Sequence, residues 1–515
     1  MSFKKVCLIT SLILFPVACS ETPVDVKPQT KPKPQVAQVV KKRPVLPALL
    51  SELPTDVAKL LSASKLNPDG LSVYIHAVNN PAPLLAFNAD MPRNPASVMK
   101  LITTYSGVGI LGADYRWPVE LYTTGEVAGD TLNGDLILKG YGDPNFKSGD
   151  LHHLLDDLRA AGVKKIVGKI IIDNTYFSIV KHDTGEFDGK RYAAYNAQSD
   201  ALIYAEGVSY FVVQGEQVYS PNPARNVLID NKLVFKNVAC TGRYAKLQTG
   251  IHREKDSVRI SFAGTYSSRC PERRYAFVVT DPENTLYATL SKMWTEDMAG
   301  TIEGGEFAVA ATPAEAKLLA KIESEPVSEV LAMINKKSNN VMAQQLFLSI
   351  GAQQEGNGDT SIKAYQQIQA WFKSRGLDFP ELVMENGSGL SRGGRVSARH
   401  IGELLLDAYN HPQKDAFINS LPILGVDGTL KKRMRGSKLA GHGHLKTGTL
   451  NDAKALAGYL TAADGETYIV AILHNDPAVR YTARPIHDKL LEWTASQNTA
   501  KTAVVPTVAA PALVE

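Results

Sequence analysis

Two textures of apolar spacing divide this chain. Near the N-terminal side, "LSVYIHAV" (71–78) and "PLLAFNAD" (83–90) are strand-like runs joined by the turn "NNPA". A helix over residues 97–111 follows. It is apolar nearly all round (Val98, Met99, Leu101, Ile102, Val108, Ile110, Leu111), so it belongs inside a core. From residue 115 to 310 the spacing changes. Short strand patterns alternate with Gly/Asp turns, as in "VELYTTGEV", "DTLNGDLILKG", "KKIVGKIIIDNTYF" and "KDSVRISFAG", with one helix at "DLHHLLDDLRAAG". Helical spacing returns in "SEVLAMINKKSNNVMAQQLFLSIGA" (328–352), "SIKAYQQIQAWFKSRG" and "ARHIGELLLDAYNH". The last patterned region is "KALAGYLTAADGETYIVAILHND", a hairpin turning at Asp464-Gly465, and then the helix "ARPIHDKLLEWTAS". Both chain ends therefore supply strands and terminal helices. The expected fold is mixed α/β (α+β): one antiparallel sheet built from both ends, flanked by helices, and interrupted by a β-rich insertion.

The segments outside this pattern set the boundaries. Lys4 and Lys5 precede the apolar run "VCLITSLILFPVA", too short for the ~20 residues a membrane span needs, so residues 1–19 are expected to be a secretory signal peptide. A cysteine after small residues in "PVACS" resembles a lipoprotein cleavage site with Cys19 lipidated, although Pro16 stands where leucine is usual. Ordinary cleavage after Ala18 or Ser20 is the alternative. Residues 20–50 are a Pro/Lys-rich linker. Residues 51–114 and 311–497 form the two parts of the main domain, 115–310 the insertion, and 498–515 a low-complexity tail expected to be disordered. Export makes the remaining pair, Cys240 and Cys270, an expected disulfide.

Composition narrows the chemistry. The net charge of +4 comes without a basic stretch interleaved with aromatics, which argues against nucleic acid as a partner. His152-His153 and the His442/His444 pair lack the spacing of a metal site, so no metal or cofactor is expected. "GYGDPNF" lacks the Lys-Ser/Thr of a phosphate loop and is expected to be a turn.

Three short motifs carry a sharper signal: Ser97-Val98-Met99-Lys100, Ser338-Asn339-Asn340 and Lys446-Thr447-Gly448. Taken singly the first two are weak, since Ser-x-x-Lys also begins at Ser2, Ser62 and Ser178, and Ser-x-Asn at Ser220 and Ser496. Ser97 alone would be a helix N-cap, Lys446 a solvated strand-end lysine, and Asn340 an amide on a helix face. Their order and settings favour catalysis. Positions i and i+3 share a helix face, which brings the Lys100 amine to the Ser97 hydroxyl. A serine needs such a base, and a lysine becomes one only when burial and a second cation lower its pKa. Lys446 is the candidate cation. Backbone N–H groups of Ser97 and Thr449 are candidates for an oxyanion hole, and Gly448 lets backbones approach closely.

The trio, together with "LKGYGDPNF", "IIIDNTYF", "NGSGLSR" (386–392) and "LPILGVDGTL" (421–430), resembles the class C low-molecular-mass penicillin-binding proteins, the DacB-type D-alanyl-D-alanine carboxypeptidases/endopeptidases. The resemblance runs from residue 51 to 496. It implies a transpeptidase-like fold with a two-part insertion, one domain nested in the other. It also implies a periplasmic penicillin-sensitive serine DD-peptidase acting on peptidoglycan stem peptides, with β-lactam antibiotics as mimics and the membrane reached only through a lipid on Cys19. Ser97, Lys100, Ser338 and Asn340 would be catalytic; Lys446, Thr447, Gly448 and Thr449 would bind substrate. Four positions depart from the family pattern. Asn339 stands where aspartate is commoner, at a place not expected to hydrogen-bond. Asn386 replaces the usual aspartate, and Asn451 stands where a glutamine can meet the diaminopimelate end. The insertion carboxylate that holds that end has no secure counterpart; Asp188 is the nearest carboxylate, and Lys190 is expected at the aligned place. Two rivals remain: a β-lactamase, to which so large an insertion is foreign, and a non-catalytic wall-binding lipoprotein.

Overall fold

The computed structural model describes residues 48–497. The expectations for residues 1–19, for most of the linker and for the tail from 498 lie outside the described residues. The two chain ends meet in one five-stranded antiparallel sheet, in the order Gly443–Thr449, Ala453–Thr461, Thr467–Asn475, Leu71–Ala77, Leu85–Phe87. Its central strands are apolar on both faces and need cover on both. Val73, Ile75, Val470 and Ile472 face one core with the helices Thr55–Ser64 and Arg484–Ala495. Tyr74, Ile469, Ala471 and Leu473 face the larger core built around the helix Met99–Ile110. That helix is buried from Met99 to Val108. The hairpin is joined by residues 462–466, a longer connection than a two-residue turn, with Gly465 at φ +83°.

The insertion leaves and rejoins at one point. Trp117 N donates to Ser324 Oγ (3.0 Å), and Ser324 N donates to the Trp117 carbonyl (3.0 Å). Its inner sheet runs Ala308–Val309, Ile170–Asp173, Leu136–Gly140, Pro118–Thr123, Lys317–Glu323. Because Lys317–Glu323 pairs with Pro118–Thr123, the insertion reaches about residue 324, past the boundary expected at 310. Nested beyond it are two three-stranded sheets, one made of Val227–Lys236, Val258–Ser267 and Gln248–Arg253. Cys240 and Cys270 are disulfide-bonded there.

The insertion holds a second helix that the apolar pattern missed, Pro282–Lys292. Only Leu286 and Leu290 mark its buried face; Thr285, Ala288, Thr289 and Ser291 fill the rest, and small polar residues carry no periodic signal.

Candidate active site

The first motif enters through a strained turn. Asn475, at the end of a central strand, accepts from Asn94 N (2.8 Å) and donates to the Asn94 carbonyl (2.9 Å). Asn94 Oδ1 in turn accepts from Ala96 N (2.9 Å). Ala96 sits at φ +47°, a left-handed conformation that costs a residue with a Cβ about 1–3 kcal/mol. Ser97 lies in a 3-10 turn, Ala96–Val98, and the α-helix starts at Met99. The serine therefore precedes the α-helix and makes no cap bond, in contrast to the helix start expected at 97. Pro95 and the left-handed Ala96 tighten the chain at that point. The turn leaves Ser97 partly accessible while Lys100 is fully buried.

The second motif is a joint between two helices. Val327–Lys337 ends at Ser338, which is left-handed (φ +55°), and Asn340–Ala352 begins two residues later. Asn339 caps the second helix, its Oδ1 accepting from Met342 N (3.1 Å). Its Nδ2 donates to Glu206 Oε2 in the insertion (2.6 Å). The position expected not to hydrogen-bond thus uses both ends of its amide. Asn340 also bridges: Oδ1 accepts from Lys100 Nζ (2.7 Å) and Nδ2 donates to the Tyr195 carbonyl (3.2 Å).

The third motif lies on the sheet's edge strand, Gly443–Thr449. Lys446 Nζ donates to Ser338 Oγ (2.8 Å) and the Thr447 carbonyl (3.0 Å). Thr447 Oγ1 is 2.9 Å from Thr429 Oγ1, a residue of the "LPILGVDGTL" stretch. Gly448 faces the turn at residues 95–97. A Cβ there would lie 2.5 Å from the Pro95 carbonyl oxygen and 3.0 Å from Ser97 N, so only glycine lets the strand close on the turn. Thr449 is exposed, with Oγ1 donating to the Gly448 carbonyl (2.8 Å).

Electrostatics separate the two lysines. Burial holds Lys100 well below the usual ammonium range, and the Lys446 charge lowers it further. Burial alone brings Lys446 down to about 7. Lys100 Nζ has three oxygen neighbours: Asn340 Oδ1, the Ser388 carbonyl (2.6 Å) and Ser97 Oγ (3.1 Å). The first two can only accept. A neutral amine has two N–H groups for them and one lone pair left, aimed at the Ser97 hydroxyl. The arrangement can deprotonate Ser97 without further rearrangement.

Sequence reasoning missed the Ser388 carbonyl as a partner of Lys100. The signal was present, since Ser388 lies within "NGSGLSR". Asn386 shapes that loop, accepting from Ser388 N (3.0 Å) and Oγ (2.9 Å) and donating to the Leu390 carbonyl (2.8 Å). An amide here serves both ends of the loop, which a carboxylate would not. The insertion's share was missed too: Phe187 packs against the cluster of Ala96, Leu450 and Ala453 beside Ser97. Asp188 bonds within its own segment, accepting from Tyr195 Oη (2.6 Å) and Asn196 Nδ2 (3.0 Å), and its Oδ1 also takes Lys190 N (3.1 Å). Asn451 Oδ1 takes the Arg480 guanidinium. Of the histidines outside the site, His152 pairs with Asp156 (2.9 Å) and His444 Nδ1 lies 3.2 Å from the Ile418 carbonyl.

Comparisons with known proteins show the family and the fold. Residues 53–497 match the family described as D-Ala-D-Ala carboxypeptidase 3 (S13). A D-alanyl-D-alanine carboxypeptidase of Actinomadura sp. (strain R39) is 30% identical over 472 residues, 87% of this chain and 86% of the relative. The D-alanyl-D-alanine carboxypeptidase DacB of Haemophilus influenzae is 25% identical over 408 residues, 78% of this chain and 84% of the relative. The fold matches the crystal structure of penicillin binding protein 4 from Haemophilus influenzae with a TM-score of 0.68, at 22% identity, covering 85% of this chain and 100% of that one.

Proposed function

This chain belongs to the D-Ala-D-Ala carboxypeptidase 3 (S13) family, and from that premise we propose that its reaction runs through an acyl-enzyme on Ser97. The protein is a serine D-Ala-D-Ala carboxypeptidase, a hydrolase. The observation that carries the residue assignment is the buried Lys100 amine, whose two acceptor oxygens leave its lone pair for Ser97.

In this reading Ser97 Oγ attacks the carbonyl of the penultimate D-Ala as Lys100 takes its proton. Ser97 N and Thr449 N hold the oxyanion; losing one such donor typically costs about 2.7–4 kcal/mol of barrier. The tetrahedral intermediate collapses, the C–N bond breaks, and the departing amine receives a proton relayed through Ser338 from the lysine pair. Water then attacks the ester, loses its proton to Lys100, and frees the product carboxylate and Ser97. Lys446 and Thr447 receive the substrate's terminal carboxylate, and Asn340 and the Ser388 carbonyl keep Lys100 aligned.

Peptidoglycan stem peptides are the substrates and β-lactams the acylating mimics; the second part is supported by the structurally similar penicillin binding protein 4 of Haemophilus influenzae, which has been seen complexed with a β-lactam. Cleavage of D-Ala cross-links as well as termini belongs to the same proposal, as do export to the periplasm and a lipid on Cys19. Among the described residues no helix is long and apolar enough to cross a membrane.

Fluorescent penicillin tests the assignment. The wild type should acquire a covalent label on Ser97, and Ser97→Ala should acquire none. A label persisting in that variant would sink the nucleophile. Digestion of monomeric and cross-linked muropeptides separates carboxypeptidase from endopeptidase action. Rapid turnover of a chromogenic cephalosporin would point instead to a β-lactamase.

A further inference from the structure

The three motifs lie in the body of the protein, yet the middle one is held from outside it. Each oxygen of the Glu206 carboxylate has one donor: Oε2 takes Asn339 Nδ2 (2.6 Å) and Oε1 takes Tyr210 Oη (3.1 Å). Glu206 belongs to the insertion and sits in a run of three left-handed residues, Ala205 (φ +50°), Glu206 (+58°) and Gly207 (+66°). Single residues visit that region; three in succession are costly and persist only where the surroundings enforce them. The run delivers a carboxylate to the Ser338–Asn340 joint.

The rest of the same helix is gripped by neighbouring insertion backbone. Gln345, fully buried, accepts from Asp200 N (3.2 Å) and donates to the carbonyls of Asp200 (2.9 Å) and Gly142 (3.3 Å). The Tyr195 carbonyl takes Asn340 Nδ2, which settles the amide so that Oδ1 faces Lys100.

We infer that Glu206 is a positioning residue for the active site. By holding the Asn339 amide it fixes the left-handed joint that presents Ser338 Oγ to Lys446 and Asn340 Oδ1 to Lys100, so the insertion is part of the catalytic apparatus. The inference rests on the acyl-enzyme reading above. Glu206 touches neither substrate nor a reacting atom; it acts through the joint. The pairing also accounts for asparagine at 339. An aspartate would cap Met342 N equally well through one oxygen but would set its other oxygen against the Glu206 carboxylate.

That symmetry supplies the test. Acylation of Ser97 by penicillin is followed by intact mass and by rate, with melting midpoints measured in parallel. Asn339→Asp should slow acylation about tenfold or more while keeping its helix cap. Adding Glu206→Gln to it should restore the rate, because the new amide donates to the new carboxylate. Glu206→Gln alone should remain near wild type, since its carbonyl still accepts from Asn339, whereas Glu206→Ala should be slow. A double variant no faster than Asn339→Asp, or a Glu206→Ala enzyme as fast as wild type, overturns the brace. Should Asn339→Asp not fold, the contrast between Glu206→Ala and Glu206→Gln decides alone. A wild type without an adduct on Ser97 overturns the acyl-enzyme reading and this inference with it, whereas a normal wild-type adduct with uncoupled variants overturns the brace only.

Discussion

In the body's sheet every position of Leu71–Ala77 is buried, while in the nested sheet of the insertion no position of Val227–Lys236 is. The first strand lies between two large cores and the second rides on one small cluster beside the Cys240–Cys270 disulfide. A body with that much apolar cover can take ionisable groups out of water and change their chemistry. Lys100 and Lys446 are such groups, both fully buried. So are His474 and His487, whose rings stack at 5.9 Å with no hydrogen-bond partner on any ring nitrogen among the described residues. The nested sheet has no such reserve and relies on a covalent tie. Depth of core thus separates the region that buries the two lysines from the nested sheets that extend it.

The comparison breaks first at Lys100. Lys100→Met should slow penicillin acylation by about 10²–10⁴-fold, the usual weight of a positioned base, with the fold intact by circular dichroism. An undiminished rate would mean the buried amine is not the base.

Lys446→Met sharpens the electrostatic half. Lys100 must be neutral to act, so acylation falls as acid returns its proton. Removing the Lys446 charge removes one of the two effects that lower Lys100. The acid limb of the rate–pH profile should therefore move to higher pH, on top of a lower maximum. A limb that stays in place would show that burial alone sets the base.

On the insertion side, Cys240→Ser with Cys270→Ser should lower the stability of the nested sheets by about 2–4 kcal/mol, read as faster hydrogen exchange there. Room-temperature acylation of Ser97 should persist, because Tyr195 and Glu206 are held by other contacts.

The smallest effect at ordinary pH concerns the histidines. Burial brings His474 down to about 4 and His487 well below its usual value; Arg433 and Lys454 push His487 the same way, and Arg93 opposes Asp476 at His474. Above about 6.5 both are neutral folded and unfolded, and nothing is lost. As pH falls from there through about 4 the unfolded chain binds protons that the folded one refuses. Stability should drop with it, His474 contributing up to roughly 3 kcal/mol below pH 4. Hydrogen exchange in Arg484–Ala495 should rise over that window, and a flat profile would refute it.

Much of this protein was legible from residue patterns because the relevant physics is local. Strand-like apolar runs at both chain ends marked the sheet, the uniformly apolar stretch after Ser97 marked a buried helix, and Ser97 to Lys100 is one helical turn. The family motifs named the reaction. Other features depended on approaches between distant segments, which no local period records. The insertion's end near 324 follows from Lys317–Glu323 pairing back to Pro118–Thr123. The second helix of the insertion buries threonines and serines, which look like surface until something packs on them. The Ser388 carbonyl reaches Lys100 across 288 residues, and Glu206 reaches Asn339 across 133. Sequence alone determined where the sheet would form and singled out the three motifs that the fold brings together. Tertiary structure decided which carbonyl leaves the Lys100 lone pair for Ser97 and which carboxylate holds the second motif, because hydrogen bonds depend on distances that only the folded core sets.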